Sequence, residues 1–247
     1  MSLQGLHFLD IETVSGERVI EAAPAAIQRH YARRFAREIE ASGKPVWEHY
    51  RENAGLYAEF GNVVCISIGG MHTDGKFYIR SIGGRHEKQL LQNFAQKAND
   101  AKITKLIGHN LKEFDAPYLM RRCLAHGLQL PHILNTFHLK PWESPYMDTL
   151  EMWSGSAWKH RCGLDLLCAV LGVESPKQEM SGGDVGEIFW GMFNGIEDKP
   201  EELPFEVEEA AIKKIGDYCG GDVLATAQIY CRMKGLPLID TEKVVFL

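Results

Sequence analysis

The sequence is short of positive charge: 27 Lys and Arg stand against 33 Asp and Glu, for a formal net charge of −6. A general polyanion binder carries the opposite balance, so any nucleic-acid partner has to be met by a local basic patch or by bound cations. No apolar run approaches the eighteen or so residues of a membrane span, and the start shows no basic segment followed by an apolar one. The expectation is a cytoplasmic protein with no membrane partner. The six cysteines, Cys65, Cys123, Cys162, Cys168, Cys219 and Cys231, form no CxxC or other zinc-ligand spacing. They read as reduced, small core residues. Repeats and low-complexity tracts are also missing. At 45% hydrophobic and 24% charged residues over 247 positions, the composition suits an ordinary globular chain with a sizeable core. A single domain over 1–247 is the expectation.

"LHFLDIET" alternates apolar and polar residues as a strand does, and "NVVCISIGGMHTDGKFYIRSIGG" reads as a hairpin turning at Asp74-Gly75. "RHEKQLLQNFAQKAND" has a helical period and "ITKLIGHN" is a short strand. "FDAPYLMRRCLAHG" is a helix with Pro117 in its first turn and Gly127 at its end. A further strand is expected over "YMDTLEMW", then helices through "EVEEAAIKKIGDYCGGDVLATAQIYCRMKG". The order predicts an α/β fold, a mixed central sheet flanked by helices, with a helical insertion from about Val14 to Gly61. In that insertion Ile27, Tyr31, Phe35 and Ile39 share one stripe and Arg29, Arg33 and Arg37 another. A solvated basic face and a substrate-contacting arm both fit. The aromatics Trp47, Tyr50, Tyr57 and Phe60 suit base stacking or packing of the helix equally.

Three short segments carry candidate chemistry. On the first strand Asp10 and Glu12 point to one face, with Leu9 and Ile11 on the other. Two carboxylates so close tolerate full ionisation best with a cation between them, and hard divalent ions take such oxygen ligands. A half-exposed strand with acidic polar positions is the plainer alternative. In "GHNLKEFDAPYL", Asp115 stands at a helix mouth, where Asp also serves as an ordinary cap. His109 and Asn110 also read as turn formers. In "IGDYCGGDVLATAQIY", Tyr218 and Asp222 are four apart on one helical face. Gly220 and Gly221 each cost a helix about 1 kcal/mol relative to Ala, which a close approach to a strand or ligand offsets and a helix break explains more simply.

Taken in order, Asp-x-Glu on a first strand, Asn and then Phe-Asp at a helix mouth, and Tyr-x3-Asp on a late helix resemble the three motifs of the DEDD-type 3′-5′ exonucleases, proofreading domains of DNA polymerases among them. The Tyr variant of that family is indicated: the position five before the last acid, where the other variant has His, is Asp217. "KHRCGLDLLCAVLG", "KQEMSGGDVGEIFW" and "YCGGDVLATAQIY" look like the predicted exonucleases related to the proofreading domain of family-B polymerases. The resemblance covers Leu6 to about Lys234. It implies an RNase H-like fold and two divalent metal ions, Mg²⁺ or Mn²⁺, bound by Asp10, Glu12, Asp115 and Asp222. Tyr218 would orient the attacking water.

The implied substrate is a single-stranded nucleic acid 3′ end, DNA in preference to RNA, contacted by Asn110, Phe114, Lys159, Arg161 and Lys177, and shortened to nucleoside 5′-monophosphates. Asp148 has a family-like setting and is expected to support the site. Lys140 and His160 read as solvated loop charges. The resemblance departs in the length of the insertion and in having no polymerase domain after it, so a free-standing enzyme is expected. An exoribonuclease with the same site and an inactive nucleic-acid-binding module are the competing readings.

Overall fold

The computed structural model describes residues 2–155, 157, 161–175, 180–191 and 205–247. β1 (His7–Ser15), β2 (Gly61–Met71) and β3 (Phe77–Gly83) form an antiparallel meander. β4 (Leu106–Gly108) and β5 (Tyr146–Asp148) extend it on the β1 side. The last strand, β6 (Val244–Phe246), runs parallel to β3, giving the order β5-β4-β1-β2-β3-β6. The β2–β3 hairpin turns at Gly75, whose φ of 79° suits glycine.

Alternation along β1 sorts the two faces. Leu9 and Ile11 enter a core with Ile66, Leu91, Phe94 and Leu119, contributed in part by α4 (Glu87–Asp100) and α5 (Asp115–Ala125). Phe8 enters the opposite core with Phe77, Ile79, Val223 and Tyr230, covered by α9 (Phe205–Lys234). Asp10 therefore faces the α9 side. Between Glu12 and Thr13 the pairing with β2 shifts by one residue, a bulge of the kind that re-aims side chains beside functional sites.

The insertion folds as three helices, α1 (Ala25–Arg34), α2 (Ala36–Ser42) and α3 (Val46–Asn53). The single stripe of Ile27, Tyr31, Phe35 and Ile39 is interrupted at Phe35, which separates α1 from α2. Of its aromatics, Tyr31, Phe35 and Tyr50 are buried with Tyr57 and Phe60 packed on them. Those side chains hold the insertion down, whereas Trp47 is exposed.

Two expectations for the second half are corrected. "YMDTLEMW" is only a three-residue strand, because Asp148 accepts the Leu150 amide at 2.9 Å and starts α6 (Thr149–Ser154). α7 (Leu164–Leu171) and α8 (Gly182–Gly191) follow, and α9 then runs without a break through Gly220 and Gly221. A Cβ on Gly220 would stand 3.2 Å from Phe246 and 3.3 Å from Ile79, and one on Gly216 would stand 3.2 Å from Ser81. Close approach of α9 to the sheet accounts for these small residues. Among the described residues all six cysteines are free and buried, as expected, and no helix is long and apolar enough to cross a membrane.

Candidate active site

Asp10 sits mid-strand on β1, with Glu12 two residues on. Asp115, the first residue of α5, is buried and its Oδ1 accepts the amide of Ile11 at 3.1 Å. That bond places a third carboxylate directly beside the first two, and it uses Asp115 to join α5 to β1 rather than to cap its own helix. α9 brings the fourth: Asp222 is buried, and Tyr218, one turn earlier, lies beside it. Four carboxylates and one phenol from three elements thus meet on the α9 side of the sheet.

The charges act on one another strongly. Burial first, then Asp115, Glu12 and Asp222, push the Asp10 carboxyl well above the ordinary carboxylate range. Asp115 is pushed up to about 7 by burial, aided by Asp148 and Asp222 and opposed by amide hydrogen bonds, that of Ile11 among them. Tyr218 is also raised, by burial foremost and then by Asp222, Glu12 and Asp10. Buried carboxylates that oppose each other's ionisation fit a cation at their centre, since a divalent charge reverses both penalties. Asp10, Glu12 and Cys219 each offer a donor atom within 4.8 Å of the others.

Cys219 was invisible to motif reasoning, which treated all six thiols alike. Its Sγ donates to the main-chain oxygen and to Oδ2 of Asp10, at 3.4 Å each, and so fixes the carboxylate that the other three surround. The usable signal was its spacing of three from Asp222, which puts both on one helical face.

Asp148 has the supporting place expected of it. Its Oδ1 accepts the Asn110 amide at 2.9 Å and its Oδ2 the Lys112 amide at 3.0 Å, which shapes the turn leading into α5. Asn110 holds a φ of 67° there, and among the described residues its buried Oδ1 has no hydrogen-bond partner. Phe114 packs against Tyr118, with ring centroids 5.3 Å apart, and shares with Glu12 a cleft of about 320 Å³. Arg161 is exposed and paired with Glu113, one residue from Phe114, so it lies near the helix mouth with its charge already matched. Lys159, Lys177 and His160 lie outside the described residues. Lys140 is a loop residue placed over the Trp142 ring.

The chain resembles the structure of the family B DNA polymerase from the hyperthermophilic archaeon Pyrobaculum calidifontis, with a TM-score of 0.52 and 17% identity over 94% of this chain. It spans 26% of that polymerase. No curated protein matches it in sequence. With the mixed six-stranded sheet, this likeness gives the α/β RNase H-like fold. Residues 56–237 match the family described as predicted 3′-5′ exonuclease related to the exonuclease domain of PolB. The matched stretch holds Asp115, Tyr218 and Asp222, and the pairing of β1 with β2 adds Asp10 and Glu12 to them. The chain belongs to this family of predicted 3′-5′ exonucleases related to the PolB exonuclease domain.

Proposed function

We propose that the protein is a metal-dependent 3′-5′ exonuclease that removes nucleoside 5′-monophosphates from single-stranded DNA. The observation that carries this reading is the convergence of Asp10, Glu12, Asp115 and Asp222 with Tyr218 beside Asp222. DNA is favoured as the substrate because both the family description and the structural likeness lead to DNA polymerases.

The four carboxylates would hold two divalent cations, Mg²⁺ or Mn²⁺. The chemistry such a pair supplies is a nucleophilic water at neutral pH and neutralisation of the leaving 3′ oxygen. Asp10 is held for its part by the Cys219 thiol, and Asp115 is fixed by the Ile11 amide. Tyr218, protonated at neutral pH and hydrogen-bonded to Asp222, would turn its hydroxyl to the attacking water and orient it without acting as its base. Acidic side chains alone repel a polyanion, so the loaded site is also what admits the scissile phosphate.

Chromatography of the products tests this. DNA and RNA oligonucleotides of one sequence, incubated with Mn²⁺, should give nucleoside 5′-monophosphates from DNA at the higher rate, and chelator should stop release. Release of 3′-monophosphates, or faster release from RNA, would contradict the proposal.

A further inference from the structure

Three large apolar side chains of the insertion are exposed, Val19 at 41%, Trp47 at 45% and Leu56 at 58%, and all three border one path. Leu56 lines the cleft of about 320 Å³ that Glu12 and Phe114 also line. Val19 and Trp47 line a second cavity of about 390 Å³. The two meet at one ion pair, Arg51 on α3 with Glu187 on α8, 3.2 Å apart, which borders both.

α8 makes the facing wall, and beside Glu187 its first turns present glycine to the cleft. Gly182 and Gly186 lie one turn apart on the cleft, and a Cβ on either would meet nothing within 4 Å. Trp190 donates from Nε1 to Ser15 Oγ at 2.9 Å, which holds α8 against the end of β1. Exposed apolar surface, an arginine and a smooth wall suit flat bases linked by phosphates.

The cleft also carries acids, two of them in ion pairs and the third in the candidate metal site. Glu52 pairs with Lys44 at 2.5 Å, Glu187 pairs with Arg51, and Glu12 belongs to the carboxylate cluster. An exposed pair such as Arg51–Glu187 holds its partners only weakly. A phosphate can therefore replace Glu187 on Arg51 at little cost.

We infer that the insertion and α8 form a track for the single strand upstream of its 3′ end, passing Trp47, Arg51 and Leu56 to reach Glu12. The direction of travel rests on the exonuclease reading; the binding does not. Trp47 is the stacking platform, Arg51 the phosphate contact and Leu56 an apolar contact in the cleft that Glu12 lines.

Fluorescence anisotropy of a 5′-labelled oligothymidylate, with Ca²⁺ in place of Mn²⁺ so that the carboxylates are neutralised and nothing is cut, tests the track. Trp47→Ala should weaken binding about 5- to 150-fold, the equivalent of 1–3 kcal/mol for one stacked base. Arg51→Ala should reduce the slope of log affinity against log salt by about 0.7, one phosphate contact on a single strand. Gly186→Leu adds a side chain into open space and favours the helix, so thermal unfolding should be unimpaired while binding falls at least tenfold. Wild-type affinity in all three variants, or no binding by the wild type, overturns the track. Hydrolysis of thymidine 5′-monophosphate p-nitrophenyl ester by the wild type with Mn²⁺ reads the chemistry without a strand. Its absence beside intact oligonucleotide binding would overturn the exonuclease reading and leave the track standing.

Discussion

Tyr218 and Asp115 are both pushed toward their protonated forms, with different consequences. A free phenol titrates near 10, and burial with three nearby carboxylates raises Tyr218 further. Its use is then as a donor, so Tyr218→Phe should lower kcat about 10²-fold while Mn²⁺ binding by calorimetry changes little. Loss of metal binding in that variant would show that the phenol holds the carboxylates rather than the water. Asp115 is pushed up from 3.8 to about 7, by burial foremost. In the metal-free protein a raised acid stabilises the fold fully below about pH 4, and that contribution is lost as pH rises through about 7. Asp115→Asn does not titrate, so without metal its unfolding temperature should exceed that of the wild type at pH 8. Mn²⁺ should raise the wild type far more than the variant there. A metal-free Asp115→Asn that melts below the wild type at pH 8 would refute the assignment.

Each helix that carries one of the clustered carboxylates is fastened beyond the site. Two turns after Asp115 on α5, Arg122 donates to Glu87 through Nε at 2.9 Å and Nη2 at 2.6 Å, and to the Ala58 carbonyl and Asn62 Oδ1 at 2.8 Å each. Glu87 is buried, and also accepts the Val63 amide at 2.7 Å with His126 at 2.6 Å. Removing the arginine strands a buried carboxylate, so Arg122→Met should lower stability by about 3–5 kcal/mol in denaturant unfolding, and adding Glu87→Gln should recover part of it. A loss under 1 kcal/mol would mean that the network does not hold α5. On the other face, Gly69 of β2 admits Val223 and Gly83 of β3 admits Ile212, where a Cβ would stand 2.8 and 2.7 Å from those side chains. Such packing explains what the sequence concealed about α9. The cost of the helical glycines is visible in the residues; the contacts that offset it belong to β3, more than a hundred positions away, and to the short β6. β6 escaped notice because three residues carry too little period to register, and "YMDTLEMW" misled because Asp148 suits a strand end and a helix cap alike.

At the scale of the whole molecule, the acidic net charge and a nucleic-acid substrate are reconciled if cations occupy the carboxylate cluster and the strand is gripped by apolar surface and arginine. Period two on β1 and a spacing of four on α9 show which side chains share a face, but only the resemblance to the exonuclease motifs joins Asp10, Glu12, Asp115 and Asp222 into one candidate site. Cys219 was not legible, since its part depends on where α9 crosses β1. The role of the insertion was not legible either: its buried aromatics and its exposed Trp47 look alike until α8 is seen to lie opposite. Asp10, surrounded by three other carboxylates, is proposed to direct metal-dependent cleavage from the 3′ end. A sequencing gel of 5′-labelled single-stranded DNA incubated with Mn²⁺ and either the wild type or Asp10→Ala tests this. A ladder should shorten one nucleotide at a time from the 3′ end, abolished by chelator and lowered about 10³-fold or more in Asp10→Ala. Immediate release of the labelled 5′ nucleotide, or a ladder of undiminished rate from Asp10→Ala, would contradict it.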